Sequence, residues 1–175
     1  NRLHGASQAD ADAMRPKAEV IAREIARMAL GTRVVPLRGW VSAPEVRDAL
    51  KACDVIFCCT DDHAGRVFLN RLAYYYLIPT FDMGLAMAVA TPPAGGMADI
   101  SARVTTVMPP EACLLCRGAV DIEIAREEDL RRQQPAEYER RKREADVRGE
   151  GNPNPAVVTF TTEVACMAVN ELLNR

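Results

Sequence analysis

Three groups of residues have the types and spacing to carry chemistry. The first is Thr60-Asp61-Asp62, directly after the apolar run DVIFCC, Asp54 to Cys59. A carboxylate at the carboxyl end of a strand stands where open α/β sheets bind ligands. Its oxygens suit Mg²⁺ on a nucleotide, because hard cations take oxygen donors and share them with phosphates. The same aspartates also suit a helix N-cap at the positive helix end. Taken alone the cap is the simpler reading, and Asp62 capping while Asp61 binds satisfies both. The second group is Arg2 and Lys17. Arg grips phosphate in a bidentate way and Lys supplies a compact charge. Lys17 falls in the first turn of a helix, where a cation opposes the dipole. That hints at an anionic ligand, against the plainer reading of a surface lysine. The third group is Cys113 and Cys116, the sequence CLLC. This spacing is half of a tetrahedral zinc site. Cys53, Cys58, Cys59, Cys166, His4 and His63 could supply further ligands but form no second CxxC. A redox CxxC normally opens a helix near a βαβ start, whereas this one follows a strand deep in the chain.

Other chemistries lack their residues. There is no GxGxxG; the sole GxG, Gly149-Glu150-Gly151, follows a charged segment and has no third glycine. There is no GxxxxGK[ST], HExxH or GxSxG. Only His4 and His63 could act as imidazole bases, and a Ser-His or Cys-His hydrolase would need His63 beside a nucleophile, which nothing in the sequence pairs with it.

The elements that must position these groups follow from hydrophobic periodicity. Pro16 to Leu30 reads as a helix opened by proline, with Ala18, Ile21, Ile25 and Met28 on one face and Gly31 placed to end it. Thr32 to Leu37 is short and β-branched, and reads as a strand. Pro44 to Lys51 is a brief amphipathic helix. Asp54 to Cys59 reads as a strand buried on both faces of a parallel sheet. Thr60 or Asp62 caps the next helix, about Ala64 to Tyr76, with Val67, Phe68, Leu72 and Tyr76 as its stripe. Ile78 to Asp82 is a second short strand. This alternation predicts an α/β fold, a Rossmann-like, mostly parallel sheet with flanking helices. Ala90 to Asp99, rich in Pro and Gly, is expected to be loop, and Ile100 to Met108 a strand. Asp121 to Arg148 is the most charged stretch, with acidic and basic residues in balance, and GEGNPNP breaks the chain. Ala156 to Arg175 is a closing helix with Val164, Met167, Ala168 and Leu172 facing a core.

Composition bounds the function classes. The chain has 175 residues, is 49% hydrophobic and 26% charged, and carries a net charge of -2. That is ordinary globular composition for one domain, without the basic field of a dedicated nucleic-acid binder. No secretory leader is seen, and no apolar stretch reaches the roughly 20 residues of a spanning helix. No membrane or nucleic-acid partner is expected. Cys53, Cys58 and Cys59, in or beside one apolar run, read as buried thiols of a reducing, cytoplasmic setting. Adjacent Cys58 and Cys59 point to opposite faces of a strand.

Taken in order, several segments resemble the ThiF/MoeB/HesA adenylyltransferases, bacterial relatives of ubiquitin-activating enzymes. Asn1-Arg2 is similar to the end of that family's NLNR segment, and Pro16-Lys17 to its G-x-P-K-V helix. DVIFCCTDD with NRLAYYYLIP resembles the strand-TDn-helix block, with Arg66 and Asn70 on its Arg and Asn. PEACLLC resembles the family's pCyrC segment, and AVVTFTTEVACMAVNELL the helix that closes the catalytic core.

The resemblance implies a partial ThiF-type adenylation domain over 1–175, with a charged crossover segment at about 121–152. Arg2 and Lys17 would contact ATP phosphates, Asp61 would hold Mg²⁺, and Asn1 would line the nucleotide site. Arg66 and Asn70 would hold the strand–helix unit in shape, and Cys113 and Cys116 would form half of a Zn²⁺ site. The implied reaction is attack by the C-terminal carboxylate of a small ubiquitin-fold or sulfur-carrier protein, ending in Gly-Gly, on ATP. The attacker is already anionic, which agrees with the scarcity of histidine. A homodimer is implied as well. The family's glycine-rich nucleotide loop precedes NLNR and its second CxxC follows the closing helix, so Asn1 reads as a cut edge inside a nucleotide site. No Cys lies between Arg117 and Ala165 to match the thioester cysteine of the eukaryotic-type enzymes. The alternative is a non-catalytic Rossmann-like remnant that dimerises or docks a partner. A nicotinamide or flavin oxidoreductase rests on fold analogy alone and ranks last.

Overall fold

The computed structural model describes residues 3–89, 97–143 and 158–175, without side-chain placement at 87–89 and 97–98. Ser7 caps a short helix α1 (Gln8–Asp12) through a reciprocal capping box with Asp10. Pro16 then opens α2 (Lys17–Arg27). This helix stops before the expected glycine, because Ala29 already adopts a left-handed conformation at φ 55°. Its buried residue is Val20, with Ala18, Ile21 and Ile25 half-buried and Met28 exposed. Residues 32–37 run without strand pairing, contrary to the strand expected there. A strand exists only through a neighbour that accepts its ladder bonds, and among the described residues this segment has none. Pro44 opens α3 (Pro44–Leu50) as expected.

The sheet has three strands in the order β1 (Ile56–Cys58), β2 (Thr80–Val89), β3 (Met97–Val107). β1 and β2 pair in parallel across α4 (His63–Tyr76), the βαβ unit that the alternation predicted. β2 and β3 pair antiparallel, so the sheet is mixed. Both strands are longer than the sequence pattern suggested. β2 continues seven residues past Asp82, and β3 takes in Met97–Asp99, where the sequence predicts loop. Residues 90–96 of that expected loop lie outside the described residues.

Helix α4 is the spine of the core. One face meets Val107, Leu114, Val120 and Ala125 through Ala64, Val67 and Ala73. The other meets Ile56, Cys58 and Ile78 through Leu69 and Leu72, with Val41 and Leu50 alongside. Each such fully buried Leu or Ile contributes about 1.5–3 kcal/mol. The expected stripe is thus borne out at Val67 and Leu72, while Tyr76 is exposed and ends the helix.

The charged segment forms α5 (Ile122–Gln133), packed on α4, and α6 (Pro135–Arg143). Its surface carries Glu–Arg pairs at helical spacing, such as Arg126–Glu123 and Arg140–Glu137. Residues 144–157, including the GEGNPNP break, lie outside the described residues. Helix α7 (Val158–Leu173) covers β2 and β3, burying Val164 and Ala168 and leaving Met167 exposed. No helix of the described residues is long and apolar enough to cross a membrane.

Candidate functional site

Strand β1 ends at Cys58, and the chain turns through Cys59, Thr60 and Asp61 into the N-terminus of α4. The turn is built by Asp62, whose carboxylate accepts the Gly65 N–H at 2.8 Å. A Cβ at Gly65 would lie 2.7 Å from Asp62 Oδ1, so any larger residue there would make the capping carboxylate turn aside. Asp62 is therefore the N-cap. Asp61, by contrast, is exposed, and its carboxylate has no partner among the described residues. The division between capping and free carboxylate that the sequence allowed is the arrangement found, and an exposed, uncommitted carboxylate fits a hard cation.

A second carboxylate reaches the same helix end. Glu128 of α5 accepts the Ala64 N–H at 2.7 Å, and the Asp121 N–H in turn donates to His63 Nδ1 at 2.9 Å. His63 is thereby a hydrogen-bond acceptor tying two helices together.

Beneath the turn lies Asp82, fully buried and opposite Cys58 in the parallel ladder. Arg103 of β3 approaches one of its oxygens at 3.0 Å, and Arg66 of α4 lies 3.3 Å from the other. Arg66 also donates to the Met83 carbonyl at 3.0 Å. Gly84, the cross-strand neighbour of Arg103, leaves room for its guanidinium, which a Cβ would meet at 3.2 Å. Burial, with the Asp82 charge second, pushes the Cys58 thiol up to about 12. Cys58 is thus the buried thiol expected. Cys53 and Cys59 are corrections, since both are exposed. Cys53 sits in the turn after α3, and Cys59 lies past the end of β1.

Lys17 is exposed in the first turn of α2, with no ion pair among the described residues. No hydrogen bond or ion pair joins it to Asp61. Asn1 and Arg2 lie outside the described residues. The approach to Lys17 is fixed by Asp10, a buried carboxylate gripped by Arg23 at 2.6 and 2.9 Å and by Arg15 at 3.1 Å.

Cys113 and Cys116 stand with their sulfurs 3.1 Å apart, both unbridged. Their turn is held from below by Asn70, whose Oδ1 accepts the Leu114 N–H at 2.9 Å. Hydrogen bonds from the Cys116 N–H and thiol lower the Cys113 thiol, and the Cys113 sulfur raises its partner. Two converging sulfurs fit half of a zinc site. Among the described residues no group of three or more His, Cys, Asp or Glu could complete one. An open groove of about 900 Å³ beside this turn is lined by Phe68, Leu72, Tyr75, Tyr76 and Cys113.

The sequence singles out Asp61 and Asp62, and the resemblance adds Arg66 and Asn70; Asp82, Arg103 and Glu128 are not among them. An Asp closing the apolar run IPTFD was the available signal for the first. Neither Arg103 nor Glu128 carries a local signal, because each acts on residues distant in sequence.

No curated protein and no solved structure matches the chain. A family model does, that of the ThiF family, and it spans residues 1–175. Matched over its whole given length, the chain belongs to the ThiF family.

Proposed function

We propose that this chain forms the adenylation core of an enzyme activating the C-terminal carboxylate of a small ubiquitin-fold or sulfur-carrier protein that ends in Gly-Gly. Membership of the ThiF family supports E1-like adenylyltransferase activity in general, with ATP and Mg²⁺. The observation that carries the finer reading is Asp61, an uncommitted carboxylate on the turn where the parallel strand β1 ends. In this reading Asp61 holds Mg²⁺, which neutralises phosphate charge, while Arg2 and Lys17 contact the phosphates and Asn1 lines the nucleotide site. The partner's carboxylate attacks the α-phosphate, the bond to the β-phosphate breaks, and pyrophosphate leaves. The attacker carries its own negative charge, so no residue need remove a proton. The chain's task is positioning and stabilisation of charge on the phosphate oxygens. Cys113 and Cys116 contribute half of a Zn²⁺ site, and the charged segment from α5 onward passes over the partner's tail. The assembly is a homodimer, working in the cytoplasm.

ATP–pyrophosphate exchange in the presence of a Gly-Gly-ending ubiquitin-fold protein tests this. Exchange that depends on the partner is expected. Absence of exchange with every such partner would leave the non-catalytic alternative standing.

A further inference from the structure

Three carboxylates surround the first turn of α4: Asp61 and Asp62 from the preceding loop and Glu128 from α5. The first turn of a helix presents N–H groups that its own backbone cannot satisfy, and its positive end favours anions. One aspartate suffices for a cap. Here the Gly65 N–H goes to Asp62, and the Ala64 N–H goes to a residue 64 positions away in sequence. Two of the three carboxylates are therefore committed to backbone amides, and only Asp61 is left to face a ligand.

The return bond, Asp121 N–H to His63 Nδ1, starts at the N-cap of α5. Two bonds of opposite direction thus bind the start of the charged segment to the start of α4. Ile122 and Ala125 of α5 pack beside Ala64 and Val67, so the contact is apolar as well as polar. At the far end of α5, Arg132 lies 4.3 Å from the ring centre of Trp40. The helix is held at both ends.

We infer that Glu128 is a positioning residue for Asp61, and that α5 and the Thr60–Asp62 loop move as one body. This rests on the reading of Asp61 as the Mg²⁺ carboxylate and extends it. A shift of the charged segment, as when a partner's tail settles beneath it, is passed through Glu128 and the Ala64 N–H to the loop that carries Asp61. Because such coupling is reciprocal, Mg²⁺–nucleotide at Asp61 strengthens partner binding at α5.

Amide hydrogen exchange over residues 60–66 tests the mechanical claim without reference to activity. Glu128→Ala is expected to speed exchange at Ala64 and in the loop by about tenfold, the effect of one lost charge-assisted hydrogen bond. Glu128→Gln, which retains an acceptor oxygen, is expected to stay within about twofold of the parent. Should Glu128→Ala fail to fold, Glu128→Asp, one methylene too short to reach, replaces it. In the ATP–pyrophosphate assay the truncated variant is expected to need several-fold more Mg²⁺ for half-maximal exchange, and the Gln variant is expected to restore the parent's requirement. Unchanged loop exchange in Glu128→Ala overturns the inference, as does faster exchange spread evenly over the chain. If the parent shows no ATP–pyrophosphate exchange with any partner, the adenylation reading falls, and the hydrogen-exchange arm alone still decides whether Glu128 fixes the loop.

Discussion

The Oδ1 of Asn70 accepts the backbone N–H of Leu114 at 2.9 Å, with both residues buried. This one bond joins the spine helix to the turn that carries Cys113 and Cys116, because Leu114 lies between the two sulfurs. Asn70→Leu should leave the Leu114 N–H buried without an acceptor, at a cost of about 1–3 kcal/mol. Zinc titration with a chromophoric chelator should show weakened metal uptake by the two cysteines. A variant that lowers the urea midpoint yet binds zinc as the parent does would separate the turn from the metal.

Asp82 is the residue whose loss should hurt the fold most. Removing one member of a buried ion cluster leaves its partners charged and uncompensated, at about 3–5 kcal/mol. Asp82→Ala strands Arg66, which is largely buried, and frees Arg103, which is 39% exposed and can turn to water. Arg103→Ala is therefore expected to cost less than Asp82→Ala. Chemical denaturation of the two variants checks the order.

Asp61 and Asp62 stand side by side in sequence and should part in their effects. Asp61→Ala leaves the cap intact and is expected to keep the parent's melting temperature while lowering ATP–pyrophosphate exchange about 100-fold or more. Asp62→Ala removes the acceptor of the Gly65 N–H and is expected to cost about 0.5–2 kcal/mol of stability. Parallel melting curves and exchange rates read both. Equal losses of exchange without the stability split would place the ligand on the pair rather than on Asp61.

Acid should weaken the approach to Lys17 first. The guanidinium of Arg23, and then hydrogen bonds from Ser7, hold the Asp10 carboxyl well below the usual carboxylate range. A carboxylate lowered in the folded state contributes stability above its unfolded value, about 3.9, and loses it as pH falls toward the folded value. Urea midpoints are expected to hold through neutral pH and to drop below about pH 4. Asp10→Asn is expected to be less stable at neutral pH and less sensitive to that drop. Half-buried Glu137, lowered to about 2 by hydrogen bonds from Arg140 and Arg141, adds in the same direction.

The βαβ unit was legible because its signals are local. An apolar run, an Asp three residues before a glycine, and a helix of 3.6 periodicity all lie within residues 54–82. Residues 32–37 misled because β-branched composition describes a strand's preference and not its neighbour. The length of β2 and β3 escaped because small residues such as Gly84, Ala86 and Ala88 give little alternation. The position of Asp61 just past a strand was legible from the apolar run before it. Glu128, Arg103 and the burial of Asp82 were not legible, since each depends on contacts that only the folded chain brings together. The exposure of Cys53 and Cys59 follows from turn geometry that an apolar run does not report.

Covering β2 and β3 with α7 has a consequence for the order of synthesis. α4, β1 and β2 are neighbours in sequence and can meet as soon as they are made. The helix that buries the sheet through Val164 and Ala168 begins only at Val158. At translation speeds of about 5–20 residues per second, the β2–β3 ribbon waits roughly 3–10 seconds after Val107 for its cover. During that interval the sheet face that Val164 and Ala168 cover stands open beside the ribosome, the stage at which a nascent chain of this architecture is most vulnerable to side-chain association with another chain.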